Sequence, residues 1–216
     1  MNEPEKLSRT IWVGVGLVII LLCLSFVLSR VRPRPAAAPL PVIGQVANFT
    51  LTNQFNQPVT LADLRGKVWV ADIIFTRCAG PCPRMMRQMR ALQEALPRNS
   101  AAKLITLTTD ADADTPEVLK KYGEKYNASF EQWSLLTGDK KEIANLAIDS
   151  LKLTALEKKP EERTDPADLF VHSTIFVLVD KQGRLRGVYE TGGENVEWET
   201  VKKDLLAAIH QLEREK

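Results

Sequence analysis

Two thiols and one imidazole are the side chains of this sequence with the most chemistry to offer. Cys78 and Cys82 stand four positions apart in FTRCAGPCPRMM, residues 75–86, and Pro83 follows at once. His172 comes far downstream in LFVHSTIFVLVD, residues 169–180. A close cysteine pair can serve as a disulfide switch, as a metal clamp or as two buried thiols. Structural zinc wants four ligands, and apart from Cys23 the chain offers two cysteines and two histidines. Two thiolates and one imidazole make a soft, low-coordinate donor set, which selects copper, Cu(I) above all, over harder ions. Met85 and Met89 fall at helical spacing with Leu92 and Leu96, which reads as core packing rather than as further ligands.

Such a pair needs a rigid junction to hold it. VWVADIIF, residues 68–75, is a nearly continuous apolar run, as expected of a strand buried on both faces. A helix is predicted from Pro83 to Leu96, with proline suited to the first helical position. Cys82 then sits at the cap and Cys78 in the preceding loop. The helix N-terminus, with Arg77 and Arg84 nearby, favours thiolate over thiol. KLITLTT (103–109) reads as a second buried strand, and Thr115 caps a helix opened by Pro116. SLLTG (134–138) reads as a strand and DKKEIANLAIDSL (139–151) as a helix. STIFVLVD (173–180) and RLRGVYE (184–190) form a hairpin, and a helix over 196–213 closes the chain. This alternation predicts an α/β fold with a central mixed sheet flanked by helices, of which the thioredoxin fold is one arrangement.

Two polar segments lie near the pair in this order. DADAD (110–114) resembles the start of a calcium loop, but Thr115 stands where glycine is needed and Lys121 where glutamate is needed. Asp110, at a strand end, is instead placed to support the site from behind. EKKPEERTDPAD (157–168) reads as a solvated loop or as a lid over His172.

Ahead of the folded part, Ile11–Leu28 carries no charge over 18 residues. As a helix it is about 27 Å long, enough to cross a hydrocarbon core. The expected organisation is a tail at 1–10, a transmembrane anchor at 11–29, a proline-rich linker at 30–45 and a domain at 46–216. A cleaved signal peptide, with AAA at 36–38 as the processing site, is the rival reading; the apolar stretch is long for one. Arg30, Arg32 and Arg34 lean towards a cytoplasmic domain, whereas reactive cysteines suit the outside. A net charge of +2, with no basic run interleaved with aromatics, argues against nucleic acid as a partner.

Four segments, TRCAGPCP, TTDADADTPEVLKKY, WSLLTG and VHSTIFVLVDKQG, resemble in that order the signature segments of the SCO/SenC family, over roughly Val46 to Leu212. The resemblance implies a thioredoxin-like fold behind one N-terminal transmembrane helix. It implies Cys78, Cys82 and His172 as ligands of copper, as Cu(I) and also Cu(II). It implies a copper metallochaperone whose partner is the copper-centre subunit of cytochrome c oxidase or another copper chaperone. The alternative it carries is a thiol–disulfide oxidoreductase cycling Cys78 and Cys82 as a redox pair. Many members carry an acidic residue between the cysteines; here Ala79-Gly80-Pro81 stands there, which weakens the reductase reading more than the copper one. The implied location is a bacterial inner membrane, single-pass, with the domain in the periplasm. Glu3 and Glu5 do not suit an acid-poor mitochondrial leader.

Overall fold

The computed structural model describes residues 3–31, 38–157 and 170–215, with side chains for 11–26, 38–154 and 173–215. The chain divides into two compact units, Met1–Pro39 and Leu40–Lys216. In the first, helix α1 runs Glu3–Val31. Among the described residues no helix is long and apolar enough to cross a membrane. The anchor expected over 11–29 reaches past Phe26, where the described side chains of α1 end.

The second unit is built on β4 (Trp69–Ile74), β5 (Lys103–Thr108) and β6 (Trp133–Thr137), which lie parallel in that order. The crossover from β4 to β5 is helix α3 (Cys82–Ala95), and the one from β5 to β6 is α4 (Pro116–Lys125). On the other side of β4 the hairpin β9 (Ile175–Val179) and β10 (Arg184–Glu190) adds antiparallel, and β1 (Gly44–Gln45) finishes that edge. β2 (Thr50–Asn53) and β3 (Pro58–Thr60) extend the sheet beyond β6, giving the order β1-β10-β9-β4-β5-β6-β2-β3.

Every residue of β4 is buried, because its alternating side chains feed two cores. Val70 and Ile74 face Met85, Met86, Met89 and Leu92 of α3 together with Leu205, Ile209 and Leu212 of α6 (Trp198–Arg214). Trp69, Ala71 and Ile73 join the opposite core with Leu61 and Leu64 of α2 (Leu61–Leu64) and Ile143 of α5 (Lys140–Ala144). Met85 and Met89 are fully buried, as their helical spacing predicts, and Met86 beside them is buried as well. Thr115 caps α4 through a hydrogen bond accepted from Val118 N–H, with Pro116 at its first position.

Two features depart from the sequence reading. The helix expected over 139–151 ends at Ala144 and continues as a π-helical turn, Asn145–Ser150. That wider turn lets the Ser150 hydroxyl accept from Ala47 N–H at 3.2 Å. The sequence predicts a loop ahead of the hairpin, with His172 just before the strand at 173–180; the structure places His172 on a strand of its own. That short strand, β8 (Phe170–His172), is paired antiparallel with β7 (Ala155–Glu157), so that His172 stands opposite Ala155.

Candidate metal centre

The Cys78 loop leaves the C-terminal end of β4, between that strand and α3. Cys82 is the first residue of α3; Pro81 occupies the cap position and Pro83 the second helical position. Cys78 is 9% exposed and Cys82 is completely buried. No disulfide joins them; both belong to the core cluster between α3 and the sheet. A Cβ at Gly80 would lie 3.7 Å from Cys78 Sγ, so the loop curls over that sulfur.

The expected thiolate character is reversed at Cys82. Burial, and then the neighbouring Cys78 thiol, drives its pKa far up, and a backbone hydrogen bond at Phe75 opposes this only in part. A helix N-terminus offers about 0.3–1 kcal/mol to a negative charge, which does not offset removal from water. The arginines do not supply the balance either. Arg77 is spent on Asp110, with Nη2 at 2.5 Å from Oδ2. Arg84 turns to Gly192, where an added Cβ would meet its Nη2 at 2.0 Å, so a larger residue there would have to displace the guanidinium. Iodoacetamide at neutral pH is therefore expected to modify Cys78 well before Cys82, read by peptide mass spectrometry; equal rates would contradict this ordering.

His172 reaches the same rim by a different route. β9 runs antiparallel to β4, so its beginning lies beside the end of β4 where the Cys78 loop starts. His172 lies just ahead of that beginning, and its side chain falls outside the described residues, as does the polar segment 157–168 beyond Glu157. Accordingly, among the described residues no group of three or more His, Cys, Asp or Glu is gathered to hold a metal ion. What is described is the tether of this segment. Thr191 N–H and its hydroxyl donate to Thr174 O at 2.8 and 2.6 Å. Gln88 of α3 donates through Nε2 to Thr191 O at 2.9 Å. The helix that begins with Cys82 is thus tied, through Gln88 and Thr191, to the segment that follows His172. Neither residue stands out in the sequence, because the bond spans 103 positions.

A family model described as SCO1/SenC matches residues 42–207. The chain belongs to the SCO1/SenC family. It is 36% identical over 170 residues to the SCO1 protein homolog of Bacillus subtilis, covering 78% of this chain and 84% of that one. The solved structure of BsSco, a member of the Sco family of cytochrome c oxidase assembly proteins with an identified disulfide switch, superposes with a TM-score of 0.68. The match has 34% identity and covers 82% of this chain and 99% of BsSco. The copper-bound structure of ScoI from Bradyrhizobium japonicum shares the fold, with a TM-score of 0.62 at 24% identity over 76% of this chain and 99% of that one. The described domain is therefore the mixed α/β, thioredoxin-like Sco fold.

Proposed function

We propose that this Sco-family chain is a copper carrier in which Cys78, Cys82 and His172 hold one metal ion and pass it to the copper-centre subunit of cytochrome c oxidase or to another copper chaperone. The observation that carries the reading is the pair of free, buried thiols at the rim where the segment bearing His172 also arrives. Two sulfurs and one imidazole suit Cu(I) and accommodate Cu(II), and they are too few for a closed zinc site. ScoI of Bradyrhizobium japonicum was solved with copper bound, and BsSco belongs to a family that assembles cytochrome c oxidase; both support the assignment. The uncharged run Ile11–Leu28 is read as a single-pass anchor that holds the domain on the periplasmic face of a bacterial inner membrane.

The test is an anaerobic copper titration of the full chain in its reduced and disulfide-oxidised forms. The expected result is one Cu(I) per reduced chain and none per oxidised chain. Equal uptake by both forms would remove the sulfurs from the site. A thiol–disulfide reductase is the second reading, favoured by the two unbridged cysteines at one strand–helix junction and by the disulfide switch of BsSco. In it Cys78, the more exposed sulfur, attacks the substrate disulfide and Cys82 resolves the mixed disulfide. Turnover that needs both cysteines and survives His172→Ala would favour it.

A further inference from the structure

The DADAD motif finds its use here. Asp112 pairs with Lys140 at the surface, and Asp110 with Arg77. Asp114 is different: it is completely buried, 36 residues after Cys78 in the sequence, yet against the loop that carries it. Its carboxyl group accepts three hydrogen bonds. Thr76 N–H donates to Oδ2 at 3.0 Å, the Thr76 hydroxyl donates to Oδ1, and the Thr108 hydroxyl donates to Oδ2. Asp114 N–H in turn donates to Asp110 O at 2.8 Å, and Asp110 N–H to the Thr108 hydroxyl at 3.0 Å. The loop after β4 and the loop after β5 are thereby joined through one internal carboxyl group. A buried polar cluster with every donor satisfied is stiff, because any departure leaves a group unpaired in a water-poor place.

We infer that Asp114 and Thr76 are positioning residues for the cysteine pair, and that this clamp fixes the loop carrying Cys78 in the geometry that the metal requires. Thr76 is two residues before Cys78, and both its backbone N–H and its hydroxyl donate to Asp114. The clamp holds Cys78 nearly covered while Cys82 is fixed by the start of α3. It therefore decides where one sulfur stands relative to the other. Arg77, which bonds Asp110 through Nε at 3.2 Å as well as through Nη2, closes the same two loops from the solvent side.

The test uses the full-length chain in detergent micelles with Thr76→Val, Thr76→Ser and Asp114→Asn. The first readout needs no metal: the rate at which iodoacetamide modifies Cys78 in the reduced protein. Thr76→Val and Asp114→Asn are expected to speed it about tenfold, the local opening that follows loss of one hydrogen bond to a charged group. Thr76→Ser, which keeps the hydroxyl, is expected to behave as wild type. Asp180→Asn, a buried carboxylate of the β9–β10 turn, serves as the control: it lowers thermal stability and leaves the Cys78 rate unchanged. The second readout, which rests on the copper reading above, is Cu(I) affinity by competition, expected to fall about tenfold in the same two variants. Unchanged Cys78 modification in Thr76→Val and Asp114→Asn, or equal acceleration in Asp180→Asn, would overturn the clamp. A wild-type chain that takes no copper would sink the metal reading and leave the alkylation result to judge the clamp.

Discussion

His172→Ala is expected to weaken copper binding by more than about a hundredfold, beyond the range seen when a residue that merely orients a ligand is lost. The reason lies in the donor count. Two sulfurs remain in the variant, and a soft pair alone still attracts Cu(I), so the larger loss falls on Cu(II), which relies on the imidazole. The sulfur-to-copper absorption of the Cu(II) form should vanish, and the Cu(I) competition curve should shift. The only other histidine of the chain, His210, is exposed on α6, and His210→Ala should leave both signals intact. A His172→Ala protein that keeps wild-type affinity for both oxidation states would remove His172 from the site.

Arg186→Ala is expected to cost about 3 kcal/mol of stability, or about 6–12 °C in Tm for a domain of this size. Arg186 is 3% exposed and gathers three distant parts of the domain with one guanidinium. Nη1 donates to Asp180 Oδ2 at 2.7 Å and to Glu215 Oε2 at 2.9 Å, while Nη2 donates to Leu40 O at 2.6 Å and Nε to Pro41 O at 3.1 Å. The start of the unit, its hairpin and the end of α6 therefore meet at a single side chain. Truncation leaves buried Asp180 with Arg184 as its remaining cation among the described residues, beside the Gln182 N–H, and takes a donor from two carbonyls as well. Lysine cannot replace a fork of five fixed donors.

The pH dependence follows from Asp180. Burial alone would raise its pKa, but the Arg184 N–H and then the side chains of Arg186 and Arg184 outweigh it, and the net value lies below the ordinary 3.8. A carboxylate depressed in the folded state contributes stability in full above its unfolded value, and the contribution is lost as pH falls through the folded one. The gap between wild type and Arg186→Ala should therefore be widest above about pH 4 and close as the solution is acidified below it. Thermal denaturation against pH measures this; a gap that is constant down to strong acid would contradict it.

Much of the scaffold can be read from residue pattern because it is local. The apolar run of β4, the Thr115 cap with Pro116, and the methionine face of α3 each declare themselves within a few positions. What escapes is polar and distant. Asp72 interrupts the apolar run of β4 without breaking it, since its Oδ1 accepts from Thr106 Oγ1 at 2.6 Å on β5, and Trp133 Nε1 on β6 donates to Thr106 Oγ1 at 2.9 Å. No periodicity announces such a relay. The cysteine pair and His172 are visible as chemistry, whereas the burial of Cys82 is not. It depends on the close packing of α3 against the sheet and reverses the effect expected from the helix terminus alone. Asp114 was legible as part of a motif, but its purpose is set by Thr76, 38 positions earlier. Strands β7 and β8 are too short to show alternation.

The most direct measurement is copper K-edge X-ray absorption on the full chain loaded anaerobically with one equivalent of Cu(I). A first coordination sphere of two sulfurs and one imidazole nitrogen is predicted, with the nitrogen contribution absent in His172→Ala and the sulfur contribution lost in the Cys78→Ser, Cys82→Ser double variant. A sphere without sulfur, or one unchanged by these substitutions, would contradict a copper centre built from Cys78, Cys82 and His172.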